Sequence, residues 1–384
     1  MLVSDIMSRD FLYLKPSDPV TKFISMMEME HVHEVPLLDG KKFRGMVNFE
    51  SLASKGITDP SRQKLASIVG PKPASLEGGK SLDEAATLLL QTGLRALPVM
   101  EKGNVIGLLS ITDVVRAAAD TRMFKDGVAK LVMSKPETVT LDTDIGSVRV
   151  IMRQHNVSRI PVVDEKGDLA GIVTVFDLIQ SLKQPKEKMG WFSMAAEMDR
   201  VANLPVSIAL NKNPVVAKEN AKLSDVVGLM TKYKNSGVVI TDGKKPIGIV
   251  TLKDLLEYFV SGFRKEGIYY QVIGLDEEDE FTLETVDRMI RDVLKKIASV
   301  EEVQFFFVHF KKYKSKGLKT KYSVRIRLRT GRDLFTSRSW AWDARDAVGE
   351  GLDNLEREVF KERGMIKTKL FKNLKKIKDY RGGA

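Results

Sequence analysis

A hydroxyl and a carboxylate recur three residues apart at three places in this chain: Ser110 with Asp113, Thr174 with Asp177, and Thr251 with Asp254. Each hydroxyl follows a glycine, Gly107, Gly171 or Gly248, by three residues. A carboxylate can accept hydrogen bonds from both hydroxyls of a ribose, and a hydroxyl beside the backbone N–H groups of a helix start can hold phosphate oxygens. The same spacing is that of an ordinary helix N-cap. Capping and ligand contact therefore stand as even alternatives for each pair taken alone. A fourth place, after Gly45, has Asn48 and Ser51 instead and lacks the carboxylate. Arg159, just before Ile160-Pro161, could meet a phosphate, with Arg95 and Lys253 as weaker candidates; each reads equally as a solvated cation.

Other chemistries lack residues. With no cysteine there is no disulfide framework, thiolate metal site or cysteine nucleophile. The histidines, His31, His33, His155 and His309, are scattered, and only His31 and His33 lie close together, near Glu34, as a local surface pair. No P-loop, dinucleotide fingerprint or nucleophile elbow occurs, so the expectation is no metal, no catalytic residues and no enzyme. Charged and apolar fractions are ordinary for globular domains, and 384 residues call for several cores. The start, MLVSDIMSRD, is unlike a secretion signal and no apolar run reaches membrane-spanning length, which predicts a cytoplasmic protein and no membrane partner. The net charge of +11 is concentrated at the C-terminus, where residues 361–384 hold nine lysines and arginines against Glu362 and Asp379. Such a block suits a polyanion-binding arm.

The elements that must position the hydroxyl–carboxylate pairs form an internal repeat. PLLDGKKFRGMVNFESL, PVMEKGNVIGLLSITDV, PVVDEKGDLAGIVTVFDL and GVVITDGKKPIGIVTLKDL each read as strand, tight turn, strand and helix start, anchored by Gly45, Gly107, Gly171 and Gly248. An amphipathic helix precedes each hairpin, as in Leu82, Ala85, Ala86, Leu88 and Leu89, or Ile145, Val148, Ile151 and Met152. The unit is thus helix, strand, strand, helix. One copy leaves apolar surface uncovered, so copies should pair, the first with the second and the third with the fourth.

This pattern resembles the cystathionine-β-synthase (CBS) repeat family over roughly residues 1–260. The resemblance implies repeats associated in twos across a pseudo-twofold, with Ser110, Asp113, Thr174, Asp177, Thr251, Asp254 and Arg159 as nucleotide-binding candidates. AMP, ADP or ATP would be the regulatory ligand, with the third and fourth repeats favoured and the first cleft in doubt.

From about Lys265 the alternation changes. IYYQVIGL reads as a strand, followed by a helix with Val286, Met289, Ile290, Val293, Leu294 and Ile297 on one face. VQFFFVHF, KYSVRIRLRT and RDLFTSRSWAW read as three strands, and a final helix from Asp343 buries Ala347, Val348, Leu352, Leu355 and Val359. The order predicts a β-α-β-β-β-α two-layer sandwich. In the third strand Tyr322, Val324, Ile326 and Leu328 should face one way, and Lys321, Arg325, Arg327 and Arg329 the other, as a basic sheet face. The preceding hairpin holds Lys311, Lys312, Lys314, Lys316, Lys319 and Lys321, with Tyr313 able to stack on a base. Arg288, Arg291 and Lys295 share a face of the first helix, with Lys296 nearby. Three basic surfaces and a basic tail favour RNA.

DARDAVGEGLDNLEREVFK at 343–361, with the element order, resembles the ribosome hibernation-promoting factor family. The fusion to CBS repeats is similar to archaeal hibernation factors that contact both ribosomal subunits. The resemblance implies docking on small-subunit rRNA, with Arg325, Arg327, Arg329, Arg345, Arg357 and Lys361 as carried-over basic positions. The expected organisation is CBS repeats at 1–58, 63–122, 126–183 and 204–262, an inserted segment at 184–203, a basic RNA-binding α+β domain at 266–363 and a tail at 364–384. The expected function is a ribosome-binding translation inhibitor whose repeats hold a second ribosomal surface or sense adenine nucleotide. The alternative is a nucleotide-gated regulator of another protein or of DNA. Self-association of the free protein as a homodimer stays open.

Overall fold

The computed structural model describes residues 1–30, 32, 34–48, 59–69, 74–180, 202–262, 269–275, 280–314, 320–330 and 333–362. It divides into two compact units, Met1–Arg153 with Val157–Glu266, and Gln154–Asn156 with Gly267–Ala384.

The first unit contains the four repeats. The first has α1 (Val3–Ile6), α2 (Val20–Glu30), β1 (Glu34–Asp39) and β2 (Lys42–Asn48). The second has β3 (Leu76–Glu77), α3 (Leu82–Thr92), β4 (Ala96–Glu101), β5 (Asn104–Ser110) and α4 (Ile111–Ala118), followed by α5 (Arg122–Asp126). The third has β6 (Val139–Thr140), α6 (Ile145–Gln154), β7 (Arg159–Val163), β8 (Leu169–Thr174) and α7 (Val175–Gln180). The fourth has β9 (Val216–Ala217), α8 (Leu223–Lys232), β10 (Gly237–Asp242), β11 (Lys245–Thr251) and α9 (Leu252–Ser261).

The hairpins form as the turn chemistry predicts. Between β4 and β5 only Lys102 and Gly103 turn the chain, at φ of 49° and 81°, matching the right-handed twist of the strands. All four hairpins carry a register shift beside the anchoring glycine, so the repeat is visible even in its irregularity. The expected unit lacked one element. The two-residue strands β3, β6 and β9 precede the first helix and pair in parallel with β4, β7 and β10. Each helix is placed by its apolar face: in α3, Leu82, Ala85, Ala86, Leu89 and Leu90 are buried while Leu88 is only partly so, and Ser81 and Glu84 close its start as a capping box.

The anchoring glycines explain the pairing. A Cβ on Gly107 would lie 2.6 Å from the Met7 sulfur and 3.1 Å from the Ser8 carbonyl oxygen, both from the first repeat. Gly248 meets the Met133 sulfur at 2.6 Å, and Gly171 the Asn211 carbonyl oxygen at 2.5 Å. Bridges Ser8 to Leu108, Ser134 to Ile249 and Ile172 to Asn211 run through the same contacts. Repeats thus pair one with two and three with four, and a side chain at these glycines would force the partners apart.

The second unit has β12 (Tyr269–Ile273), α10 (Glu280–Ala298), β13 (Val303–Lys314), β14 (Thr320–Thr330), β15 (Leu334–Ala341) and α11 (Ala344–Glu362). Its sheet runs in chain order, with β12 parallel to β13 and the rest antiparallel. Both helices cover one face, where Val286, Ile290, Leu294, Val348, Leu352 and Leu355 meet Phe306, Val308, Val324 and Ile326. β13 continues through Lys314 and pairs with β14 from Thr320, so Lys311, Lys312 and Lys314 lie on one arm of the expected hairpin and Lys321 on the other.

Candidate functional site

The three hydroxyl–carboxylate pairs are all capping boxes. The Ser110 hydroxyl donates to Asp113 Oδ2 at 2.6 Å, and the Asp113 N–H donates back to it at 3.2 Å. Thr174 and Asp177 repeat this at 2.6 and 3.2 Å, and Thr251 and Asp254 at 2.7 and 3.3 Å. Each carboxylate also accepts the N–H of its cap residue, at 2.8 to 2.9 Å. The bonds organise the starts of α4, α7 and α9 and fix where the carboxylates point. Asp113 and Asp177 are partly accessible, whereas Asp254 is buried.

What separates these pairs is the side chain standing across from the partner repeat. In both modules the first residue of a hairpin strand reaches the start of the partner's hairpin. In the first module it is a carboxylate: Glu34 accepts the backbone N–H of Arg95 at 3.1 Å and of Ala96 at 3.2 Å. In the second it is a cation. Arg159 Nη2 donates to the Ser236 hydroxyl at 2.7 Å, and the guanidinium lies so close to Gly237 that a Cβ there would sit 2.0 Å from Nη1. Arg159 is 9% exposed, and its Nε makes no hydrogen bond among the described residues. Burial, then the nearby Arg95, draws its guanidinium down to about 10, while Asp254 and Asp177 oppose the shift. It stays protonated at neutral pH. The third and fourth repeats thus join a desolvated cation to carboxylates from both partners, and the first and second do not. Asn48 ends β2 as the pattern requires, and Ser51 lies outside the described residues.

In the second unit the alternation of β14 is as expected, but its basic side is not a solvated face. Arg327 is fully buried and Arg329 nearly so, while Arg325 is partly buried. Arg329, Arg327 and Arg325 lie beside Phe305, Phe307 and His309 of β13, a buried row in which the Phe305 and Phe307 rings are 5.0 Å apart and His309 stacks on Phe307. Long arginine stems lie along such rings readily.

The basic stripe on α10 is also altered. Arg288, Arg291 and Lys295 are exposed, but they alternate with Glu284, Asp287 and Asp292. Arg291 pairs with Asp287, which also accepts the Tyr270 hydroxyl at 2.6 Å, and Lys296 bonds Glu356 at 3.1 Å. The face is one of mixed charge. On α11, Arg357 and Lys361 are exposed, while Arg345 donates to both oxygens of Asp343, at 3.0 and 2.8 Å, and holds that carboxyl down at about 2. Lys316 and Lys319 lie outside the described residues, and for Lys314 only the backbone is described.

At the other end of the outward face lie two residues that sequence reasoning placed on a strand and passed over. Trp340 and Trp342 are 39% and 55% exposed, and the Lys321 ammonium sits 3.2 Å from the centre of the Trp340 ring and 5.0 Å from that of Trp342. Their spacing of two on a strand, with the outward parity of Lys321 and Arg325, is the signal that could have found them.

The CBS domain family matches four stretches, residues 3–56, 65–120, 128–184 and 206–261, more than half of the chain. The chain belongs to the CBS-domain family. Its residues 269–377 match the C-terminal domain of the hibernation factor Hib, as the element order and last helix led one to expect. Both are regulatory or binding modules, not catalytic ones. An uncharacterized protein of Methanocaldococcus jannaschii is 26% identical over 339 residues, 87% of this chain and 79% of that one. The crystal structure of protein MJ1225 from the same organism superposes with a TM-score of 0.56 at 20% identity, over 67% of this chain and 100% of that chain, which shows a shared fold. L-aspartate semialdehyde sulfurtransferase of M. jannaschii is 30% identical over 134 residues, only 23% of that enzyme. Among the described residues no group of metal-ligating side chains gathers, and no helix is long and apolar enough to cross a membrane.

Proposed function

We propose that this CBS-domain protein is a ribosome hibernation factor: its C-terminal domain docks on ribosomal RNA and blocks translation, and its CBS array senses adenine nucleotide or holds a second ribosomal surface. The observation that carries the reading is the match of residues 269–377 to the C-terminal domain of Hib. The lysine- and arginine-rich end of the chain and the exposed Arg357 and Lys361 of α11 supply cations for phosphate contact. With Arg327 and Arg329 buried, the RNA contacts fall to Lys311, Lys312, Lys321, Arg357, Lys361 and the tail. Nucleotide binds where the third and fourth repeats meet, with Arg159 on phosphate, Asp177 on ribose and the buried Asp254 holding Arg159 in place by its charge. It affects the ribosome only through different affinities for two arrangements of the array.

Sedimentation through sucrose gradients with ribosomes tests this. The expected result is comigration at low salt, weakened by several decades of affinity at physiological salt if roughly 6–10 phosphates are contacted, and lost on truncation after residue 262. An intact chain that stays at the top of the low-salt gradient would sink the reading.

A further inference from the structure

The outward face of the C-terminal sheet changes character along its length. Over Phe305, Phe307, Arg327 and Arg329 it is buried. Toward the opposite end it opens, and the residues sharing that face are Lys311 and Tyr313 of β13, Lys321 of β14 and Trp340 of β15, with Trp342 just past the strand brought in by Lys321. The register sets Tyr313 opposite Lys321 and Trp340 opposite Ser323, so an aromatic ring flanks the central strand on each side, with Trp342 following just past β15. Lysines sit among them, Lys321 over both tryptophans and Lys311 5.9 Å from the Tyr313 ring centre.

Two neighbouring tryptophans, 39% and 55% exposed, make an unusual surface patch. The cations interleaved with the rings argue against an apolar occupant and for an anionic one that also carries flat rings. Unpaired nucleobases on a phosphate backbone satisfy both demands: the Lys321 ammonium swings from the rings to a phosphate and the bases take its place against the aromatic side chains. Trp340 near the end of β15 and Trp342 just past it are close enough for one ammonium, that of Lys321, to lie over both rings, as neighbouring bases of a single strand would require. A duplex keeps its bases stacked inside and offers these rings nothing.

We infer that Trp340, Trp342 and Tyr313, with Lys321 and Lys311 between them, form a stacking platform for single-stranded RNA. This deepens the ribosomal reading, since it gives the docking domain a way to select unpaired rRNA bases over phosphate alone.

The test uses the full chain carrying Trp191→Phe, so that tryptophan fluorescence reports on the two platform residues alone. It is titrated with a ten-nucleotide single-stranded RNA and with a duplex of equal length at one salt concentration. The expected result is quenching by the single strand, a preference for it over the duplex, and a loss of roughly five- to hundredfold in affinity for each of Trp340→Ala and Trp342→Ala. Trp342→Phe should recover most of its loss. Both side chains are exposed, so the variants should unfold at the parent temperature. Equal affinity for duplex and single strand, or a double alanine variant that binds the single strand as tightly as the parent when read by the anisotropy of an end-labelled strand, would overturn the platform. The readout is independent of sedimentation: single-strand binding without ribosome binding removes the hibernation reading and keeps the platform, and the reverse removes the platform alone.

Discussion

The two CBS modules share one backbone design and differ in one pair of side chains. Where the first repeat begins its hairpin with Glu34, the third begins it with Arg159, and each crosses to the same point on its partner. Glu34 is satisfied by backbone: it clamps the N–H groups of Arg95 and Ala96 and so fastens the first module together. Arg159 is poorly satisfied, a buried guanidinium with one hydrogen bond to Ser236 and an unbonded Nε among the described residues. A buried charge short of partners costs stability, and the sites where proteins retain such groups are disproportionately those that bind. The carboxylate set follows the same division, since Asp177 and Asp254 both serve the second module and the first has Asp113 alone. One module thus holds itself closed through Glu34, while the other keeps a buried cation among carboxylates, the place where the proposed function puts the phosphates.

Giving the second module the charge of the first is the strongest way to break this contrast. Arg159→Glu should reduce adenine nucleotide affinity at least about 100-fold by calorimetry, since it removes a charge-assisted contact and adds a carboxylate facing the phosphates; an unchanged affinity would refute the asymmetry. Next come the carboxylates. Asp113→Ala, Asp177→Ala and Asp254→Ala each disrupt the same capping box and should each cost about 1 kcal/mol of stability, yet only the last two should weaken nucleotide binding, by roughly tenfold. Three equal effects on binding would return all three pairs to plain capping. Gly237→Ala sharpens the comparison further, because Ala96 occupies the matching position of the first module without conflict. The new methyl must displace the Arg159 guanidinium, and a severalfold loss of nucleotide affinity is expected in the same titration. The smallest effect belongs to the first module. Glu34→Gln weakens the acceptor for two backbone donors and should lower stability by about 1 kcal/mol in urea unfolding, with nucleotide affinity unchanged.

Much of this was legible in the residues because local chemistry dictates it. Glycine-anchored hairpins, Ser/Thr–Asp caps and the apolar faces of α10 and α11 are written within one element each. The pairing of repeats followed from uncovered surface. The strands β3, β6 and β9 escaped notice because two residues have no period to read. Alternation along β14 placed Arg327 on the right face, but its burial beside Phe307, a cross-strand neighbour twenty positions away, is not written in the strand itself. The opposition of Glu34 and Arg159 was out of reach for the same reason. Its meaning lies in contacts to Ala96 and Ser236, 62 and 77 residues on.

The division of labour between the modules comes down to a count, read by calorimetric titration of the full chain with AMP, ADP and ATP in turn. One site per chain for at least one of the three, abolished in Arg159→Glu and retained in Asp113→Ala, is the expected result. Two equivalent sites, a single site that survives Arg159→Glu, or no binding of any of the three would contradict it.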